Sequence, residues 1–155
     1  MRVEQLPDPQ AFLAATEALR GAQPVLTNVI GSVAGSVAEG REYERCWWWV
    51  VRDDRDRVVG CAMRTAPFLL AVSPMPAEAA AALGREVAGA DPALPGSVGP
   101  ADVVAAVLDA AAPGVERRLG RHELVRVLHG FGPAVGVTGA ARPTRPQEED
   151  LLVDW

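Results

Sequence analysis

The side chains able to do chemistry in this 155-residue chain are few. Tyr43 is its one tyrosine; it has the histidines His122 and His129, the cysteines Cys46 and Cys61, and the serines Ser32, Ser36, Ser73 and Ser97. His122 and His129 lie in a stretch that alternates like a strand. Their odd spacing sends them to opposite faces, so they cannot share a metal. No Cys/His spacing suits zinc, and no serine sits in a nucleophile-elbow pattern. Asp102 and Asp109 read as solvated helix charges rather than general bases. Cys46 and Cys61 read as free buried thiols, since a chain of this length without an export signal seldom needs a disulfide. The run Arg52 to Arg57 alternates in sign and reads as a soluble hairpin tip. No constellation for catalysis emerges from residue types alone.

Composition narrows the class. The formal net charge is −5, although all 15 basic residues are arginine. That balance argues against a general nucleic-acid or anionic-membrane binder. No apolar run reaches the roughly 18 residues of a membrane span, and the opening Met1-Arg2-Val3-Glu4-Gln5-Leu6 is too polar for a signal segment. The expectation is a soluble, cytoplasmic protein with room for one domain. Alanine and valine dominate its apolar residues, so the core is built of small side chains anchored by Trp47, Trp48 and Trp49.

The elements that must position these residues follow from periodicity. Arg2–Leu6 reads as a strand. Asp8 and Pro9 start a helix that Gly21 ends. A second helix is expected from Gln23-Pro24, with Leu26, Ile30, Val33 and Val37 as its apolar stripe and Gly40 closing it. Cys46–Arg52 and Arg57–Thr65 form a hairpin. Pairing Arg52 with Arg57 sets Trp49 opposite Gly60, Trp47 opposite Ala62 and Trp48 opposite Cys61. Three consecutive tryptophans require cover on both faces of the strand, as in a central strand between helices. Phe68–Val72 is a third apolar strand. Helices are expected over 77–88 and 101–112, the latter with Val104, Val107, Leu108 and Ala111 inward, and Ser97-Val98 as a short strand between them. One more helical turn is expected over Val115–Leu119 and a strand over Arg121–Phe131. A Gly/Pro-rich linker follows. Pro146–Trp155 reads as a helix with Glu148, Glu149 and Asp150 in its first turn.

This order, together with Cys-Trp-Trp-Trp-Val-Val-Arg-Asp (46–53), Val-Val-Gly-Cys-Ala-Met-Arg-Thr-Ala-Pro (58–67), Leu-Pro-Gly-Ser-Val-Gly-Pro (94–100) and Ala-Arg-Pro-Thr-Arg-Pro-Gln-Glu-Glu-Asp-Leu-Leu-Val-Asp-Trp (141–155), resembles bacterial two-domain N-acetyltransferases of the GNAT type. The likeness is to their degenerate N-terminal half. It implies an α/β (α+β) fold with a mixed, mostly antiparallel central sheet and helices on both faces. It also implies a degenerate GNAT-like domain over residues 1–132, a linker over 133–140, and the first strand and helix of a truncated catalytic domain over 141–155.

In that family acyl-CoA binds where two strands splay apart, and a glycine-bearing loop offers backbone N–H groups to its pyrophosphate at a helix N-terminus. The matching positions here are Ser73-Pro74-Met75-Pro76-Ala77. Two prolines remove donors, and the glycines and the opening Arg or Gln are missing. The resemblance therefore leaves only vestigial cofactor contacts, at Val72, Ser73 and Met75, and no catalytic or metal-binding residue. The helix that bears the family's tyrosine, residues 101–112 here, has none, and Tyr43 does not match it. Acetyl-CoA or another acyl-CoA would serve the parent protein rather than this chain, and the expected partner is the catalytic half of the same polypeptide. The rival expectation is an acyltransferase-like ligand-binding or dimerisation module without catalysis, which would form a homodimer.

Overall fold

The computed structural model describes residues 1–121 together with Glu123, Val125, Val127, Arg145 and Glu148. The chain divides into a unit Met1–Val125 and a second unit Arg126–Trp155. In the first unit the order is β1 (Arg2–Leu6), α1 (Pro9–Ala22), α2 (Asn28–Ala38), β2 (Cys46–Arg52), β3 (Val58–Thr65), β4 (Leu70–Val72), α3 (Ala77–Ala90), β5 (Ser97–Val98) and α4 (Ala101–Ala111). The strands make one mixed sheet in the order β1-β2-β3-β4-β5. Its first four members pair antiparallel, and β5 joins β4 in parallel. The protein is thus a mixed α/β fold with a five-stranded sheet and four helices among the described residues.

Strand β2 explains the layering. Trp47, Trp49 and Val51 point to one face, where Leu83 and Val87 of α3 and Val103 and Val107 of α4 complete a core. Trp48 and Val50 point to the other, against Phe12 of α1 and Ile30 and Ala34 of α2. Trp47 and Trp49 stack at 6.4 Å between ring centroids, and Trp48 meets Phe12 at 5.3 Å. Both faces of this strand are covered, as the three tryptophans require.

The hairpin register differs from the expected one. Trp49 lies opposite Ala62, Trp48 opposite Met63 and Trp47 opposite Arg64. The shift is two residues, so the tryptophans and residues 60 to 65 keep their expected faces, whereas Val59 turns to the Trp47–Trp49 face and Val58 to the Trp48 face, the reverse of the expected alternation. One residue of it comes from the tip, where Arg52 pairs with Val58 instead of Arg57, and one from a bulge, since Val51 pairs with Gly60 and leaves Val59 as the extra residue of β3. The tip holds this register itself. Asp53 accepts from the backbone N–H groups of Arg55 and Arg57, both at 2.9 Å, and Asp56 takes a positive φ of 62°.

Local signals account for the helices. The Asp8 carboxylate accepts from Ala11 N at 2.7 Å, and Pro9 stands at the first position of α1. That helix runs past Gly21 to Ala22. Helix α2 begins at Asn28 rather than at Gln23, because Gln23 to Thr27 forms a separate turn. There Thr27 donates to the Gln23 carbonyl from both its N–H and its buried hydroxyl. Leu26 consequently falls outside the stripe and is exposed. In α4 it is Val103, not Val104, that is buried beside Val107.

Three further expectations change. Strand β4 starts only at Leu70, since Phe68 N–H closes a turn on the Thr65 carbonyl and Arg64 Nε donates to the Phe68 carbonyl. Phe68 and Leu69 are exposed as a result. Val115–Leu119 is not helical: the Pro113-Gly114 turn, with Gly114 at φ 76°, ends α4 and leaves the segment exposed. Arg121, Glu123, Val125 and Val127 are exposed and lie in no strand. The rest of the expected strand to Phe131, His122 and His129, the 133–140 linker and most of 141–155 fall outside the described residues. Within the second unit, Glu148 accepts from Arg145 N at 2.8 Å and returns its own N–H to the Arg145 carbonyl at 2.9 Å.

Helices α3 and α4 meet at Gly84. A Cβ there would lie 2.2 Å from the Val107 carbonyl oxygen and 2.9 Å from Ala110 Cβ. Gly84→Ala should destabilise the domain by about 1–3 kcal/mol through overpacking. Gly89→Ala, where nothing lies within 4 Å, should stabilise it by about 0.5–1 kcal/mol through helix propensity. Urea unfolding of both variants checks the contrast.

Candidate functional site

The junction between β4 and α3 holds the three residues expected to keep cofactor contacts. Val72 is the last residue of β4 and is buried. Beside it Gly99, at φ 154°, approaches so closely that a Cβ would sit 2.5 Å from the Val72 carbonyl oxygen. Ser73 is fully buried and extends the β3 pairing. Its N–H donates to the Cys61 carbonyl, and its hydroxyl accepts from Cys61 N–H, both at 2.9 Å. The hydroxyl also donates to the Pro74 carbonyl at 3.2 Å. The Met75 side chain lies over Gly60, where a Cβ would meet its Cβ, Sδ and Cε within 2.7 to 2.9 Å. The sequence brings these three residues together, and each is spent on packing or on a structural hydrogen bond.

Helix α3 then opens at Pro76 with no side-chain cap, and Glu78 adds a negative charge to its first turn. Pro74 and Pro76 contribute no N–H. An anionic group approaching this end meets a carboxylate and a reduced set of donors, the reverse of what a helix N-terminus otherwise offers.

The other chemistry-bearing side chains do not converge. Tyr43 lies before β2 and meets Phe68 edge-on at 6.2 Å. Asp102 is exposed in the first turn of α4, and Asp109 pairs with Arg117. Ser32 donates to Asn28 Oδ1, Ser36 to the Ser32 carbonyl and Ser97 to the Leu70 carbonyl. Among the described residues no group of three or more His, Cys, Asp or Glu could hold a metal ion. Nor, among them, is any helix long and apolar enough to cross a membrane. A shallow cleft of about 460 Å³ between α1 and α2 is lined by Glu17, Arg20, Thr27, Asn28 and Ser32. Its arginine is already tied: Arg20 Nε donates to the Thr16 hydroxyl and Nη2 to the Leu13 carbonyl.

No family model, curated protein or solved structure matches this chain. Its chemistry therefore rests on its own geometry.

One charged pair escaped sequence reasoning. Arg64 of β3 and Asp91, which follows α3, form an ion pair in which both side chains are 7% exposed. The guanidinium also lies 5.1 Å from the Trp47 ring centroid. Burial first, and then the nearby charge of Arg45, lower the Arg64 pKa. An arginine inside an otherwise apolar strand was the available signal. Its partner could not be named, because Asp91 sits in a Pro-rich loop of ordinary composition.

Removing one member of such a pair strands a buried charge. Asp91→Asn should cost about 3–5 kcal/mol in urea unfolding, and pairing Arg64→Met with Asp91→Leu should recover most of it.

Cys61 responds to pH. Burial pushes its thiol from an ordinary 9.0 up to about 11, against smaller opposing effects of the Ser73 hydrogen bond and the Arg20 charge. Unfolding releases the thiol to ionise earlier, so stability present below pH 9 should fall as pH rises toward 11. Cys61→Ala should flatten that fall when unfolding is measured across the same range.

Proposed function

We propose that this chain is a GNAT-like acyltransferase unit that has lost cofactor binding and serves as the non-catalytic half of an acyl-CoA-dependent N-acyltransferase. The observation that carries the reading is the β4–α3 junction. A sheet of four antiparallel strands with a fifth added in parallel, and a helix starting just after the fourth, is the arrangement in which a cofactor pyrophosphate would rest on that helix. At this junction Pro74 and Pro76 withdraw N–H groups, Met75 fills the space over Gly60, and Gly99 closes on the Val72 carbonyl. Pantetheine needs an open strand edge, and this edge is occupied.

The rest of the first unit supports a scaffold role. Its serines are committed to structural bonds, and Tyr43 stands away from the helix where a proton donor to the departing thiolate would be needed. In this reading the domain packs on a catalytic half of the same polypeptide and helps wall the acceptor pocket. Acetyl-CoA belongs to that other half.

Calorimetric titration of the chain with acetyl-CoA should show no binding in the micromolar range, and micromolar binding would overturn the loss of the cofactor site. The coding sequence beyond Trp155 is expected to supply a glycine-bearing pyrophosphate loop. If it does not, the two-domain part of the proposal falls.

A further inference from the structure

Strand β1 is an edge of the sheet, and its free side follows from hydrogen bonds elsewhere in that sheet. Ser73 N–H donates to the Cys61 carbonyl, so Cys61 bonds toward β4 and Ala62 toward β2. Ala66 N–H donates to the Arg45 carbonyl, which fixes the same phase between β2 and β3. Trp49 therefore bonds toward β3, while Trp48, Val50 and Arg52 bond toward β1, opposite Leu6, Glu4 and Arg2. The N–H and C=O groups of Val3 and Gln5 point the other way, off the sheet. Among the described residues no strand pairs with them there.

Sheet edges are commonly blunted by shortness, proline or a bulge. The opposite edge, β5, is so treated: it has two residues, between Pro95-Gly96 and Gly99-Pro100. Strand β1 has none of the three. Its five residues pair with β2 in unbroken register and include no proline. Its charges are also self-complementary. Arg2 and Glu4 share one face of the strand, two residues apart. Arg2 pairs with Asp56 and Glu4 with Arg52, and the Met1 ammonium lies 3.4 Å from Asp54. Yet the Arg2 side chain is 62% exposed and that of Glu4 38%, so each has room for a second partner.

We propose that two copies of this chain join antiparallel through β1, with Val3 opposite Val3 of the second copy on a two-fold axis. In that register the outward groups of the two Val3 residues bond reciprocally, and Gln5 N–H donates to the Met1 carbonyl of the second copy. Arg2 then stands opposite Glu4 of the second copy, twice by symmetry. The signs alternate across the junction, from Arg52 through Glu4 to Arg2 and Asp56 of the second copy. The competing symmetric registers fail on this strand's own residues. Centring on Glu4 sets two glutamates face to face, and centring on Arg2 does so with two arginines. Centring on Gln5 brings Val3 to Pro7, which has no N–H. Val3 packs against the apolar layer around Trp47 and Trp49, so the Val3 pair carries that layer across the junction. The inference is independent of the acyltransferase-like reading.

The test is sedimentation equilibrium of the full chain from about 5 to 300 μM, a range suited to the small interface of one strand pair. A monomer–dimer equilibrium is expected. Val3→Pro removes an outward N–H and leaves the β1–β2 ladder intact, so it should weaken the dimer about tenfold or more. Arg2→Glu and Glu4→Arg should each weaken it about tenfold by setting like charges opposite each other. An equimolar mixture of these two variants should regain the dimer, because opposite charges then face each other at both pairs. Thermal unfolding confirms that each variant is folded. A monomer at every concentration, a dimer indifferent to Val3→Pro or to the single reversals, or a mixture that stays monomeric would each overturn the proposal. Acetyl-CoA titration does not report on this edge, so the two proposals fail independently.

Discussion

The packing of three adjacent tryptophans on β2 is the constraint from which the rest of the fold follows. A strand alternates its side chains between two faces, so Trp47 and Trp49 demand one hydrophobic layer and Trp48 demands another. The helices are made largely of alanine and valine, and such small residues let them approach the sheet closely around those large rings. One indole departs from this economy. Trp49 Nε1 is buried and meets no acceptor among the described residues, a desolvation cost of about 1–3 kcal/mol that the burial of its ring must outweigh.

The same arrangement decides what can happen at the end of β4. Ser73 and Cys61 pair through a side chain as well as through backbone, and Met75 folds over the one strand position without a Cβ. These contacts extend the core beyond the sheet into the segment that joins β4 to α3, and under the proposed function this packing is what takes the place of a ligand loop. The acidic first turn of α3 works in the same direction by disfavouring anions.

Much of the fold was legible because its signals are local. Asp8-Pro9 marked the start of α1, and the adjacent tryptophans forced helices onto both faces. Register was less legible, because the Asp53 turn and the extra residue Val59 depend on hydrogen bonds that residue types do not reveal. The late start of α2 has a similar origin in the Thr27 hydroxyl, which holds a separate turn. Phe68 looked like strand from its hydrophobicity alone; the Arg64 side chain that captures its carbonyl is a tertiary contact. The candidate junction was visible as a Pro-rich loop, but its closure by Gly99 comes from a different strand end.

Gly84 has a consequence for motion. Where α3 crosses α4, its backbone faces the Val107 carbonyl with no intervening side chain. Packed helices ordinarily slide by repacking the side chains between them, in small shear steps. This crossing has no such layer to rearrange at its centre, so sliding α3 along α4 would drive backbone against backbone. The other pair, α1 and α2, is joined through side chains such as Arg20, which reaches across to Gly31. The two helix pairs therefore resist sliding in different ways: α3 on α4 through backbone contact at Gly84, α1 on α2 through side chains that have other rotamers open to them.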